Sequence, residues 1–374
     1  MYFVEKTKDI NFLKKFDYIL FALVAVLSII GLLSLSSVSQ GRDNGTRMMI
    51  VQIGCMAVGV ICAIVISMID YKDFKALGII FYIVTVVLLI LVLLIGSGDT
   101  IGSRSWVKIA GVKFQPSEFA KVSFIMVASV FLERIRDDQK NRNLNIAKFL
   151  FYSAFITALV VAQKDFGTSM VFAFIFFVFI FICGISYKYI FACIGMFLAI
   201  APIVWFKVLN TARRERILVF FDPDRDRYGS GYNVIRSKVS IGSGQIFGKG
   251  LFKGMKQVPV NESDFIFSVI GEELGFIGAV VVILTVCIFL MRCIHIAKNA
   301  RDSYGTFLVM GVTSYLGIHF VENIGMSVGV LPVTGIPQPF ISQGGTSIIA
   351  NFIAVGIVLS VSMRRQKVIF NSSS

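Results

Sequence analysis

Charge is scarce in this chain of 374 residues. Asp, Glu, Lys and Arg make up 16% of it, against 56% hydrophobic residues and a mean hydropathy of +0.81. That balance excludes a soluble globular domain. Histidine occurs only at His295 and His319, and neither has Cys or carboxylate partners at ligand spacing, which points away from a zinc site. The six cysteines (Cys55, Cys62, Cys183, Cys193, Cys287, Cys293) fall within or at the ends of apolar runs. None pairs up in an outer loop, so no disulfide framework is implied and they read as small packing residues. A cleavable signal peptide is not visible either, because the first apolar run follows a charged head but has full spanning length.

What the chain has in quantity is long apolar runs. About 20 such residues are needed for a helix to cross a bilayer core. Ten candidates lie near 17–37, 48–69, 77–96, 117–133, 149–163, 168–184, 189–206, 265–291, 305–328 and 345–363. The expected fold class is therefore all-α and polytopic, one membrane domain over 1–374, with a large loop of about 207–263 between spans 7 and 8. With both termini inside, the inner segments carry 18 Lys or Arg and the short outer segments six. The positive-inside rule then places the termini in the cytoplasm. Topology accounts for most of the inner part of the net charge of +14, but not for the excess in the long outer loop.

That loop mixes cations with apolar residues from Thr211 to Arg236, a pattern suited to short helices lying along the headgroups. Its Ser240-Ile241-Gly242-Ser243-Gly244 and Gly248-Lys249-Gly250 stretches can wrap phosphate through exposed amides, or merely bind an anionic surface. The loop ends at Asp264, which stands where the chain re-enters an apolar run. A carboxylate there, facing Lys and Arg, suggests chemistry on an anionic substrate at the membrane surface.

Polar residues inside spans are expensive unless paired or facing water. Glu118 and Lys121, three apart, share a helix face and read either as a structural ion pair or as part of a site. Arg104 and Trp106 lie just outside that span, the tryptophan at the depth of a belt anchor. Lys164 and Asp165 make a second outer pair. Glu272 and Glu273, on a continuous helix, would lie about 80° from Asp264 and about opposite it, so at least one is structural. Pro332, Pro337 and Pro339, with Gly335, Gly344 and Gly345, make 331–345 a shaped non-helical segment of the kind that lines cavities.

These segments carry a resemblance. Asn261-Glu262-Ser263-Asp264-Phe265-Ile266-Phe267 with Gly271-Glu272-Glu273-Leu274-Gly275, Phe114-Gln115-Pro116-Ser117-Glu118-Phe119-Ala120-Lys121, Asp222-Pro223, Gly231-Tyr232 and Leu331 through Gly345 are similar in order and spacing to the SEDS family. These are the RodA/FtsW/SpoVE proteins of shape, elongation, division and sporulation, and the likeness runs nearly end to end. Two departures stand out. Ser342-Gln343-Gly344-Gly345 replaces the usual Ser-Tyr-Gly-Gly, and Glu262-Ser263-Asp264 replaces His-Thr-Asp with the acid retained.

The resemblance implies a ten-helix fold and a peptidoglycan glycosyltransferase polymerising lipid II on the outer face. It implies a class B penicillin-binding protein as partner. By the same carry-over Asp264 is the key acid, and Glu118, Lys121 and Trp106 match the family's buried pair and tryptophan. Asp264 would act as base on the attacking sugar hydroxyl, or hold a divalent cation (Mg2+ or Mn2+) against the leaving diphosphate. Arg213, Arg214 and Lys249 are candidates to stabilise that diphosphate. Arg104, Lys164, Asp165, Ser342, Gly344 and Gly345 complete the expected substrate site. The competing classes are a lipid II flippase and a non-enzymatic scaffold. Against transport, the hydropathy shows no internal repeat and the polar residues gather outward, away from the midplane. The 322–345 segment looks more like RodA than FtsW, with division and sporulation roles as the alternatives.

Overall fold

The computed structural model describes residues 15–96, 104–109, 112–184, 211–229, 231–254 and 258–365, with isolated positions between 185 and 210. Eleven helices are found among the described residues: α1 Tyr18–Ser39, α2 Gly45–Met68, α3 Phe74–Ile95, α4 Pro116–Asp137, α5 Arg142–Ala162, α6 Phe166–Cys183, α7 Thr211–Phe221, α8 Tyr232–Ser243, α9 Ile266–Lys298, α10 Ser303–Val328 and α11 Gly345–Met363. Eight of the described helices are long and apolar enough to cross a membrane: α1–α3, α5, α6 and α9–α11, with the turn Tyr71–Asp73 leading into α3. The expected span at 117–133 is α4, whose 22 residues reach about 33 Å but carry Glu118, Lys121 and Glu133. The expected span at 189–206 lies, but for isolated positions, outside the described residues.

Every long helix begins or ends within a few residues of its apolar run, because the first helical turn needs capping rather than apolarity. Asp17 caps α1 by accepting from Leu20 N at 3.1 Å. The same carboxylate takes a two-pronged contact from Arg292 of α9, with Nη2 at 2.8 Å, and a hydrogen bond from Ser362 of α11. One acid thus ties three helices at the end of the bundle where the chain starts.

In section, α4, α10 and α11 form the interior. Helix α4 packs on α3, α5, α6, α10 and α11, and α10 also meets α6, α8 and α9. Helices α2 and α11 come close where Gly356 faces Ala63, since a Cβ on Gly356 would stand 2.9 Å from the Ala63 backbone. Small residues at such crossings let helices gain dispersion contacts that lipid cannot supply.

The outer loop differs from the expected surface helices in one respect. Helix α8 does not lie apart on the headgroups but packs against α9 and α10. Ser237 Oγ donates to the Ser327 carbonyl at 2.7 Å, joining α8 to the end of α10. The architecture is all-helical as expected, with one small two-stranded antiparallel pair, β1 Val107–Ile109 and β2 Val112–Phe114, before α4. Its register pairs Val107 with Phe114 and Ile109 with Val112.

Candidate functional site

Asp264 is the last polar residue before α9, and its backbone is held from α10. Asn323 Nδ2 donates to the Asp264 carbonyl at 2.8 Å and to the Ile336 carbonyl at 2.9 Å. A buried amide therefore joins the loop carrying the acid to segment 331–344. Other bonds join the same two segments: Gln343 N donates to Glu262 O at 2.8 Å, and Ser342 Oγ donates to Ser263 O. Arg42, after α1, bridges Glu262 at 3.0 Å and Asn261 Oδ1 at 2.8 Å. Gly335, with φ +76°, passes over the carboxylate so closely that a Cβ there would lie 3.5 Å from Asp264 Oδ2. Burial pushes the Asp264 carboxyl up to about 6, against the lowering effects of a Ser263 hydrogen bond and of Arg216.

Beneath this end of the bundle runs a buried chain of polar groups. Lys121 Nζ sits 2.8 Å from Glu118 Oε1, 3.0 Å from His319 Nε2 and 4.8 Å from the centre of the Tyr315 ring. His319 Nδ1 stands 3.3 Å from the Pro337 carbonyl, which can only accept. That fixes the assignment: Nδ1 carries the proton and Nε2 accepts from the ammonium. The expected Glu118–Lys121 pair is therefore not isolated. It connects through His319 to the backbone that covers Asp264.

His319, Glu322 and Asn323 occupy one face of α10, three and four residues apart. They meet Pro337, Thr334 and Ile336 in turn, with Thr334 Oγ1 3.4 Å from Glu322 Oε2. Glu322 and Asn323 open the 322–345 segment of the family likeness but are not among the expected site residues, and His319 lacks zinc ligands at the right spacing. The signal was present. Three polar residues on one face of a span need polar partners, and a proline-rich segment supplies carbonyls with no competing amide at each proline.

The second outer pair is placed on a neighbouring patch. Asp165 caps α6 by accepting from Thr168 N at 3.1 Å, and takes a bond from Gln115 Nε2 at 2.9 Å. Burial raises its carboxyl above the usual range. Gln115 N in turn faces Thr346 Oγ1 of α11 at 3.4 Å, which links this patch to the end of segment 331–344. Lys164 has φ +62° and offers its carbonyl to Arg213 Nη2 at 3.1 Å, while the Arg213 guanidinium lies 5.0 Å from the centre of the Phe166 ring. Arg214 donates to the Phe206 carbonyl at 3.0 Å. Arg104 is exposed, and its amide bonds the Gln163 carbonyl at 3.0 Å. Trp106 opens the hairpin and is half-buried.

Segment 342–345 serves as a joint. Gln52 of α2 donates to Ser342 O at 3.1 Å and accepts from Gly344 N at 3.3 Å. Ser342 Oγ also accepts from Gln338 N at 2.8 Å, and Gly345 opens α11.

Lys249 belongs to a different assembly. Helix α9 breaks at Gly275, whose φ of +67° and ψ of −163° leave the helical region. The amides of Phe276 and Ile277 turn to the carbonyls of Gln245 and Ile246, at 2.8 and 3.2 Å. The carbonyls of Glu272 and Glu273 accept instead from Lys249 and Gly250, both at 3.0 Å. Four backbone groups released by the break thus find partners on the glycine-rich stretch, as burial demands. Lys249 Nζ binds Glu272 Oε1 at 2.6 Å, Ser240 bonds the other oxygen, and Glu273 takes bonds from Ser37 and Gly254 N. The glycines here repair a broken helix. Both glutamates are held by these contacts, because α9 starts only at Ile266 and does not run on regularly past Leu274.

Among the described residues no three His, Cys, Asp or Glu side chains gather at one point as a metal would require of an all-protein site. Mg2+, however, is commonly held by one or two carboxylates plus substrate phosphates, which the single Asp264 carboxylate fits.

A bundle of apolar helices, with an acid at one end over a buried Glu–Lys–His chain, defines a multi-pass membrane protein with a polar site at its loop face. The FtsW/RodA/SpoVE family model, described as cell cycle protein, matches residues 14–367, and the chain belongs to that family. It is 33% identical over 332 residues to the peptidoglycan glycosyltransferase MrdB of Escherichia coli, covering 88% of each chain. Likeness to the stage V sporulation protein E of Bacillus subtilis is 35% over 314 residues, covering 82% of this chain and 84% of that one. The fold matches a chain of a solved peptidoglycan synthase complex, described as coordinating polymerization and crosslinking, with TM-score 0.79 and 27% identity over 94% of this chain and 99% of that one. It also matches the rod shape determining protein RodA of Thermus thermophilus, with TM-score 0.71 and 25% identity over 94% and 98%.

Proposed function

We propose that this protein is a peptidoglycan glycosyltransferase that polymerises lipid II at the outer face of the cytoplasmic membrane, in cell elongation and shape. The class of activity rests on relatives that bear that name at 33% identity over 88% of both chains. The assignment of the chemistry rests on one observation. Asp264 is a carboxylate at the loop end of the bundle, locked by its backbone to α10 and desolvated so that it titrates near 6. A base works best when its pKa lies near the operating pH, and an ordinary surface aspartate is too weak.

In the proposed reaction a sugar hydroxyl of one lipid II attacks the anomeric carbon of a lipid-diphosphate sugar. Asp264 takes the hydroxyl proton as the new glycosidic bond forms. The bond from anomeric carbon to diphosphate oxygen breaks with inversion, and undecaprenyl diphosphate leaves with the electron pair. Loop cations stabilise the growing charge on that oxygen. Asp264 would be the residue to hold a divalent cation, which would supply charge neutralisation for the leaving diphosphate. Lys121 and His319 keep segment 331–344 in register over the acid.

The fold match to a chain of a peptidoglycan synthase complex supports a class B penicillin-binding protein as partner, with crosslinking supplied by that subunit. Cytoplasmic termini follow from the placement of Lys and Arg. Purified protein given labelled lipid II should release glycan chains. Lipid II crossing vesicles without chains would mean a flippase instead.

A further inference from the structure

Three of the spanning helices carry exposed apolar bands of equal length. Large hydrophobic side chains are exposed from Ile50 to Met68 on α2, from Leu77 to Ile95 on α3 and from Phe276 to Ile294 on α9. Each band covers 18 residue steps, about 27 Å at the α-helical rise and close to the roughly 30 Å of a bilayer's apolar core. The bands place the edge of that core, at the loop end of the bundle, beside Ile50, Ile95 and Phe276. On α9 the limit is sharp. Every residue from Ile266 to Glu273 is buried, and exposure starts at Phe276, just past the break at Gly275.

Residues 245–252 of the long loop are pinned at this edge. The Gln245 and Ile246 carbonyls accept from the amides of Phe276 and Ile277, at 2.8 and 3.2 Å. Beside that joint Ile246, Phe247, Leu251 and Phe252 are all exposed, Phe247 to 81%. The backbone carries them through four left-handed positions: Gln245 (φ +50°), Gly248 (+79°), Gly250 (+95°) and Phe252 (+67°). Glycine adopts that region freely, but a phenylalanine there is strained, and exposing its ring to water adds a second cost. The repair of α9 uses backbone groups and Lys249 and leaves these four apolar side chains without a role. Phe276 and Ile277, bonded to the stretch, are the first residues of the lipid-facing band, so the four side chains extend that band onto the loop. Lys253 follows Phe252 and is exposed, a cation at the depth of phosphate headgroups.

We propose that residues 245–252 are an interfacial anchor, in which Ile246, Phe247, Leu251 and Phe252 insert at the headgroup–acyl boundary of the bilayer, level with Phe276. The anchor holds the break at Gly275, and with it the half-helix that follows Asp264, at a fixed depth relative to the bilayer surface. The coincidence with the band edge selects lipid over a protein partner as the occupant. This anchoring holds whichever reaction the site performs.

Full-length protein carrying Phe247→Trp or Phe252→Trp is placed in phosphatidylcholine nanodiscs, plain or brominated either just below the headgroup or at mid-chain. Emission from the native Trp106 and Trp205 is measured in unsubstituted protein and subtracted. Shallow bromines, at the roughly 5–10 Å depth of an interfacial segment, should quench both introduced indoles more than mid-chain bromines do. Tyr228→Trp, at a loop position 91% exposed, should respond to aqueous iodide and to neither brominated lipid. Emission from 247 and 252 that follows the Tyr228→Trp pattern would overturn the anchor. Shallow quenching that disappears when a class B penicillin-binding protein is added would overturn it too, because protein would then be the occupant. Quenching is read without turnover, so a failed anchor leaves the enzymatic reading standing, and an absence of glycan product leaves the anchor standing.

Discussion

Asn323 and Asp264 are joined through the backbone: one side-chain amide in α10 holds the carbonyl of the acid and that of Ile336 together, at 2.8 and 2.9 Å. The position of the carboxylate is thus set by a residue 59 positions away in sequence. Replacing Asn323 by Leu removes both donations and leaves two carbonyls short of a partner. The expected loss is about 1–3 kcal/mol of stability, and a fall in polymerisation larger than the change in lipid II binding. Thermal unfolding and a kcat-against-KM comparison check this; a change in KM alone would assign Asn323 to binding.

Polymerisation should depend on the ionised form of Asp264. Its carboxyl titrates at about 6, so the rate should rise as pH passes 6 and level off above 7. The stability sign runs the other way. The folded carboxyl lies above the roughly 3.9 of an unfolded aspartate, so the folded state holds more protons between those values. Asp264 therefore favours folding below about 4, and that contribution is lost as pH rises through 6. Asp264→Asn should raise Tm at pH 7.5 and change it little at pH 4. A lowered Tm at pH 7.5 would contradict the burial of an ionised acid there.

Lys121 is buried among Glu118, His319 and Tyr315. Lys121→Ala leaves Glu118 as an uncompensated charge and should destabilise the protein by about 3–5 kcal/mol. Glu118→Gln with Lys121→Met should recover much of that stability without restoring full polymerisation, because His319 then lacks its ammonium partner. Recovery of both together would reduce the pair to scaffolding.

Gly275 is the point where α9 opens, and a Cβ there would lie 2.3 Å from Gly248 N. Its φ of +67° with ψ near −163° is accessible to glycine and strained for alanine. Gly275→Ala should lower Tm by several degrees and loosen the 245–250 segment, read as faster amide exchange at Lys249 and Gly250. Lys249→Gln should do the same more mildly, with diphosphate affinity unchanged.

The helices were legible because a bilayer demands about 20 apolar residues, and only charges interrupt that pattern. The edges were less so: α5 begins at Arg142, seven residues before its apolar run, and α9 continues to Lys298. Those ends are set by capping and charge outside the hydrocarbon, which hydropathy does not register. Asp264 and the Glu118–Lys121 pair stood out as ionisable groups in apolar surroundings. Asn323 did not, since an uncharged amide barely changes a hydropathy average although its burial is just as demanding. The glycine-rich stretch offers only phosphate wrapping or contact with an anionic surface as sequence readings, because nothing local shows that α9 breaks at Gly275 and takes up its amides.

The central claim is that Asp264 performs the chemistry of glycan polymerisation, and chain formation from labelled lipid II by purified protein tests it most directly. Wild-type protein should produce glycan chains, with or without added Mg2+ or Mn2+ separating the base from the metal-ligand role. Asp264→Asn should yield none while remaining folded, with a Tm no lower than that of the wild type, and keeping its affinity for lipid II. Substantial polymerisation by the folded Asp264→Asn protein would contradict the account.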